Sequence, residues 1–178
     1  FKYSFLKDRE LKIIEILTAL IFCCIPLFVT FPYKINLYLA WDGAYRMYLG
    51  QFPFRDFGMP LGYGFWIIPA IFFKIFGPFM SSLIKAQVFL NAISIVAFIS
   101  IMKTFKVATP VRILGVIFFC LSYVFVNFWP WYNHTVFVYE LVGLAFLLRG
   151  VFIKGKYSAV NLVIAGIFIF LSLFTKQD

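Results

Sequence analysis

Charge is scarce in this sequence, and acid is scarcest. Asp and Glu number seven against sixteen Lys and Arg in 178 residues, and charged residues make up 13% of the chain. A soluble domain is about a quarter charged and about half apolar, whereas this chain is 63% hydrophobic with a mean hydropathy of +0.96. That deficit excludes a water-soluble globular domain and makes lipid the solvent. A single histidine, His134, excludes a histidine-rich zinc centre. Three cysteines are too few and too deep in apolar runs for a disulfide framework; Cys23, Cys24 and Cys120 behave as small apolar residues. Internal repeats, low-complexity tracts and linkers are absent. So is a secretory leader within this stretch, because the first apolar run is too long for a leader core and has no small-residue cleavage site.

What is there is oil in long runs, punctuated by cations. The net charge of +9 stands in short clusters between those runs, the arrangement of membrane topology rather than of nucleic-acid binding. The basic segment 1–12 is expected in the cytoplasm, and Ile13 to Phe31 makes a first crossing with Glu15 near water at its inner edge. Residues 61–77 are apolar but short, and contain Gly62, Gly64, Pro69 and Lys74. Laying them on the outer surface puts Lys2, Lys7, Arg9, Lys12, Lys103, Lys106, Arg112, Arg149, Lys154 and Lys156 inside, 10 of 16 cations. Letting them cross leaves only Lys2, Lys7, Arg9, Lys12, Lys74, Lys85 and Lys176 inside, 7 of 16. The positive-inside rule therefore selects a surface helix. Further crossings follow at 79–102, 113–129, 136–153 and 159–174, with Trp129, Trp131 and Tyr132 as an aromatic belt. The expected fold is all-α: a polytopic membrane bundle of about five crossings, plus surface helices in a first outer loop at 34–77. The chain opens on Phe1 and stops just past an apolar run, so it is expected to be the N-terminal part of a longer transmembrane module.

One polar interruption stands out, Trp41 to Gly64, WDGAYRMYLGQFPFRDFGMPLGYG. It holds Asp42, Asp56, Arg46 and Arg55. Asp42, Tyr45, Arg46 and Leu49 share one face of a short helix that Gly50 stops; Phe54 to Met59 reads as a loop, and Pro60 suits the first turn of the next helix. The topology brings Asp42, Asp56, Lys85, Asn133, His134, Glu140, Lys176 and Asp178 to the same side. Such a set offers carboxylates to take a proton and cations to receive a phosphate.

Trp-Asp-Gly-x-Tyr at 41–45 and Gly-x-x-Pro-Phe-Arg-Asp-Phe-x-x-Pro-x-Gly at 50–62 resemble the first outer loop of GT-C glycosyltransferases, in the branch of protein O-mannosyltransferases and lipid A aminoarabinose transferases. Leu-Phe-Thr-Lys-Gln at 173–177 is similar to the end of the fifth helix in that branch. The resemblance implies an inverting transferase of the bacterial inner membrane, moving a sugar from a polyprenyl-phosphate donor to a glycan, lipid or protein acceptor on the outer face. It implies Asp42 as general base, with Asp56 a second catalytic acid. Arg46, Arg55, Lys85 and Lys176 are the implied phosphate partners, and Asn133, His134 and Glu140 line the substrate side. A divalent cation, Mg or Mn, is a further implication. Two departures bear on it: Gly43 stands where the family often has a second acid, and 131–135 lacks a carboxylate, for which Glu140 is the substitute. Ordinary roles compete at each position. Asp42 is an N-terminal helix residue favoured by the dipole and paired with Arg46 at i+4, Asp56 caps a turn, Lys85 snorkels, His134 packs, and Glu140 holds a structural pair. A non-enzymatic membrane component, such as a lipid-linked-sugar flippase or transporter subunit, is the alternative function.

Overall fold

A computed structural model describes residues 8–28, 35–58, 62–122, 128–153 and 155–176. Among these residues seven α-helices run in order: α1 (Asp8–Cys24), α2 (Ile35–Tyr48), α3 (Gly64–Phe76), α4 (Met80–Thr104), α5 (Thr109–Ser122), α6 (Tyr132–Phe152) and α7 (Ser158–Thr175). A short 3-10 turn, Ile25–Leu27, follows α1 and contains Pro26. The chain is a membrane helix bundle: α4, α6 and α7 are long and apolar enough to cross a bilayer. Pro60, Lys2, Lys7, Lys154 and Asp178, named in the sequence reading, lie outside the described residues.

Sequence dictates the helix ends. Gly50 at φ 84° and Gly77 at φ 85° take left-handed backbone that stops α2 and α3. Beyond α2, Gly50 N–H donates to the Met47 carbonyl and Gln51 N–H to that of Arg46. The thirteen residues of α3 extend about 20 Å at 1.5 Å each, short of the ~30 Å hydrocarbon core. It packs against α2 and along α4, where Phe72 meets Phe89 at 5.6 Å between ring centroids.

Helices α6 and α7 form a close hairpin because Gly143 and Gly150 bring their backbones together. A Cβ at Gly143 would stand 3.1 Å from Ile169 Cγ1, and one at Gly150 would stand 2.9 Å from Leu162 Cδ2. The apolar cluster Leu90, Ala97, Val138, Val142 and Ala145 joins α4 to α6. Helix α1 pairs with α5, both touch α4, and α3 meets α6 and α7.

The two ends of the bundle differ. One, the basic end, carries Lys103 in the last turn of α4, Arg149 in the last turn of α6, and Arg112 in α5. The other, the loop end, gathers the 50–58 loop, the start of α6 and the end of α7, with Tyr63 edge-on to Phe174 and to Phe54.

Three expectations are corrected. Glu15 does not reach water; it is 4% exposed and takes Arg112 Nε at 2.7 Å and Nη2 at 3.0 Å, because α5 starts beside it. The helix carrying Asp42 begins at Ile35, since Leu37, Ala40 and Ala44 form a stripe buried on α3. Asp42 thus sits mid-helix and gains nothing from the helix N-terminus. Trp129 is not a belt residue; it turns inward to a cluster with Phe65, Trp66 and Leu83.

Candidate functional site at the loop end

The site is built on α2 and the loop after it. Asp42 and Arg46 are one turn apart, and Arg46 Nε donates to Asp42 Oδ2 at 2.8 Å. Beside them Trp41 stacks on Tyr45 at 4.6 Å, and Tyr45 lies 6.0 Å from Tyr48, an aromatic row along the helix. The loop then doubles back. Phe54 takes φ 65°, uncommon outside glycine, and Phe54 N–H donates to the Phe57 carbonyl at 2.8 Å.

Asp56 closes this turn. Its carboxylate accepts the Phe52 amide N–H at 2.7 Å and Arg55 Nε and Nη2 at 2.9 and 2.8 Å. The Arg55 guanidinium, helped by the Phe52 amide, holds the carboxyl at about 2, below its ordinary 3.8. Arg55 is pushed up in return, and its guanidinium lies 4.5 Å from the centre of the Phe52 ring.

Arg46 also faces the loop that carries Asp56. It bonds Asp42, and its guanidinium carbon lies 5.4 Å from the centre of the Phe57 ring, the residue after Asp56. Both carboxylates keep solvent contact, with side chains 56% and 30% exposed.

The other predicted residues are placed separately. Lys176 Nζ lies 5.9 Å from the Tyr132 ring centre, and Lys85 Nζ lies 4.3 Å from that of Phe76. Asn133 and Glu140 are exposed along one face of α6. His134 is buried at 1% exposure, and Gln87 Nε2 lies 3.3 and 3.4 Å from its two ring nitrogens. The neighbour of His134 is therefore the interior of the bundle rather than the surface.

Two contributors were not foreseen from sequence. The first is a buried polar row on α4, Gln87, Asn91 and Ser94, in which Gln87 donates to Asn91 Oδ1 at 2.7 Å. Its spacing of i, i+4, i+7 on an otherwise apolar helix was the available signal. The second is Trp66, whose indole N–H donates to the Leu39 carbonyl at 3.1 Å and whose ring lies against Gly43.

The end of α7 completes the rim. A Cβ at Gly62 would fall 1.9 Å from the Phe174 carbonyl oxygen, and one at Gly64 would fall 2.2 Å from Thr175 Oγ1. The two segments carrying the sequence resemblance are thus in direct contact. Each aspartate already holds a guanidinium, and among the described residues no three of His, Cys, Asp and Glu stand together as a metal group. No protein family, curated protein or solved structure matches this chain.

Proposed function

We propose that the chain is the membrane-embedded part of a glycosyltransferase that moves a sugar from a polyprenyl-phosphate donor to an acceptor hydroxyl or amine at the loop end. One observation carries this reading: two carboxylate–arginine pairs, Asp42–Arg46 and Asp56–Arg55, with Arg46 facing the Phe57 ring of the second pair's loop, beside an aromatic row at the rim of an apolar bundle.

The chemistry follows from the groups. Asp42, the less enclosed acid, takes the acceptor's proton as its oxygen or nitrogen bonds to the anomeric carbon. The bond from that carbon to the phosphate oxygen breaks on the opposite face, which inverts the configuration. The departing phosphate keeps the bonding electron pair, and its negative charge is met by Arg46 and Arg55, whose planar forks suit phosphate oxygens. Asp56 holds Arg55 in position. The rings of Trp41 and Tyr45 offer the sugar an apolar face, and the bilayer takes the polyprenyl tail.

The test is Asp42→Asn in the full-length enzyme, assayed in membranes with a labelled polyprenyl-phosphate sugar. Loss of a general base predicts a fall in transfer of at least about a hundredfold at normal protein level. Undiminished transfer removes Asp42 from the chemistry.

The buried row Gln87, Asn91 and Ser94 beside His134 favours a second reading, a non-enzymatic flippase or transporter subunit, because polar groups inside a bundle are what a translocation path needs. Gln87→Leu with Asn91→Leu separates the two. A transporter loses translocation, while an enzyme whose site is at the rim keeps transfer.

A further inference from the structure

A cavity opens toward the other end of the molecule. About 590 Å³ opens between α1 and α6, with α4 as its floor, and a second hollow of about 280 Å³ continues it along the α4–α6 seam. Ala92, Val96, Ser100 and Arg149 line both, so they form one cleft. None of its lining residues belongs to the loop-end site.

Three features define what fits. The walls are aliphatic: Ile16 and Leu20 on α1, Ala92 and Val96 on α4. The cleft runs from Phe89 to Lys103 along α4, about 21 Å at 1.5 Å per residue. That covers the ~15 Å depth of one leaflet's hydrocarbon with room for a headgroup. At its basic end stand Lys103 and Arg149, both exposed and neither in an ion pair among the described residues. Glu15, the acid of the lining, is already neutralised by Arg112.

We infer that this cleft binds an anionic phospholipid from the leaflet at the basic end, its acyl chain along α4 and its phosphate between Lys103 and Arg149. A cleft of small and aliphatic residues accepts a flexible chain, while two unpaired cations at its mouth select negative charge. This site is independent of the transfer chemistry at the loop end.

Native mass spectrometry of the detergent-solubilised protein, titrated with phosphatidylglycerol or phosphatidylcholine, tests it. Phosphatidylglycerol is expected to be retained preferentially. Lys103→Gln with Arg149→Gln is expected to weaken that retention by about thirtyfold, the product of two cation contacts at a membrane surface. Val96→Trp, which fills the cleft and keeps both cations, is expected to abolish it. Both changes are on exposed side chains, and an unshifted melting temperature checks the fold. Equal retention of the two lipids, or unchanged retention in both variants, overturns the assignment. A photo-crosslinking residue at position 96 in phosphatidylglycerol vesicles adds a second readout: a lipid-sized mass shift supports it, and a protein adduct overturns it.

Discussion

Gly43 shows how one missing side chain fixes a local structure. A Cβ there would fall 2.0 Å from Trp66 Cε2. The indole is pinned by its bond to Leu39 and surrounded by Phe65 and Phe57, so it has no free space to retreat into. Gly43→Ala would gain about 1 kcal/mol of helix propensity, yet overpacking costs about 1–3 kcal/mol. A lower melting temperature in detergent is the expected result. Position 43 thus has no room for a side chain. Asp56 gives a pH prediction. Its carboxyl is held at about 2, below the unfolded 3.8, so the turn it closes is intact above pH 4 and loosens as pH falls from about 4 to 2. A carbon-13 titration of the Asp56 carboxyl should show a midpoint near 2. The Asp42–Arg46 pair was legible in the sequence because i,i+4 neighbours on a helix face are set by local geometry. The meeting of Gly43 with Trp66 was not, because 23 residues and a reversal of direction separate them.

At the scale of elements, the Glu15–Arg112 pair fastens α1 to α5 across 97 positions of sequence. Both side chains are nearly buried, at 5% and 9% exposure. Arg112 also donates to the Val107 carbonyl and Thr109 Oγ1, which fixes the start of α5. Glu15→Gln leaves a buried cation short of its partner and should cost about 3–5 kcal/mol. Replacing both, Glu15→Leu with Arg112→Met, should recover most of that, read as melting temperature in detergent. The apolar runs made the helices themselves easy to find. Their partners were harder. A carboxylate near the end of a span reads as water-exposed until the cation that claims it is known, and that cation lies four helices away. The start of α2 was missed for a related reason: Asp42 has the chemistry of a first-turn residue, while the stripe Leu37, Ala40 and Ala44 needs α3 opposite to identify it as buried.

At the scale of the molecule, the bundle is two-ended: the Asp42–Arg46 and Asp56–Arg55 pairs and the aromatic row stand at the loop end, and Lys103, Arg112 and Arg149 at the other. Single cysteines report this directly. Phe54→Cys and Ile75→Cys, at exposed positions, should react with an impermeant thiol reagent from the same side of the membrane. Phe105→Cys, also exposed, should react only from the opposite side. Labelling of positions 54 and 75 from different sides would break the pairing of α2 with α3. The polarity of the ends was legible, because charge spacing between apolar runs is a property of the chain itself. The seat of the 62–64 segment on Phe174 and Thr175 was not, since it joins the third helix to the seventh.

That seat has a consequence for biogenesis. Thr175 leaves the ribosome 111 residues after Gly64, and at 5–20 residues per second the interval is about 6–20 s. During that time the nascent rim has α2 and α3 but no floor beneath the glycines. A chain arrested before Ser158 should therefore insert and yet leave its first loop open to protease, whereas one extended through Thr175 should be protected there.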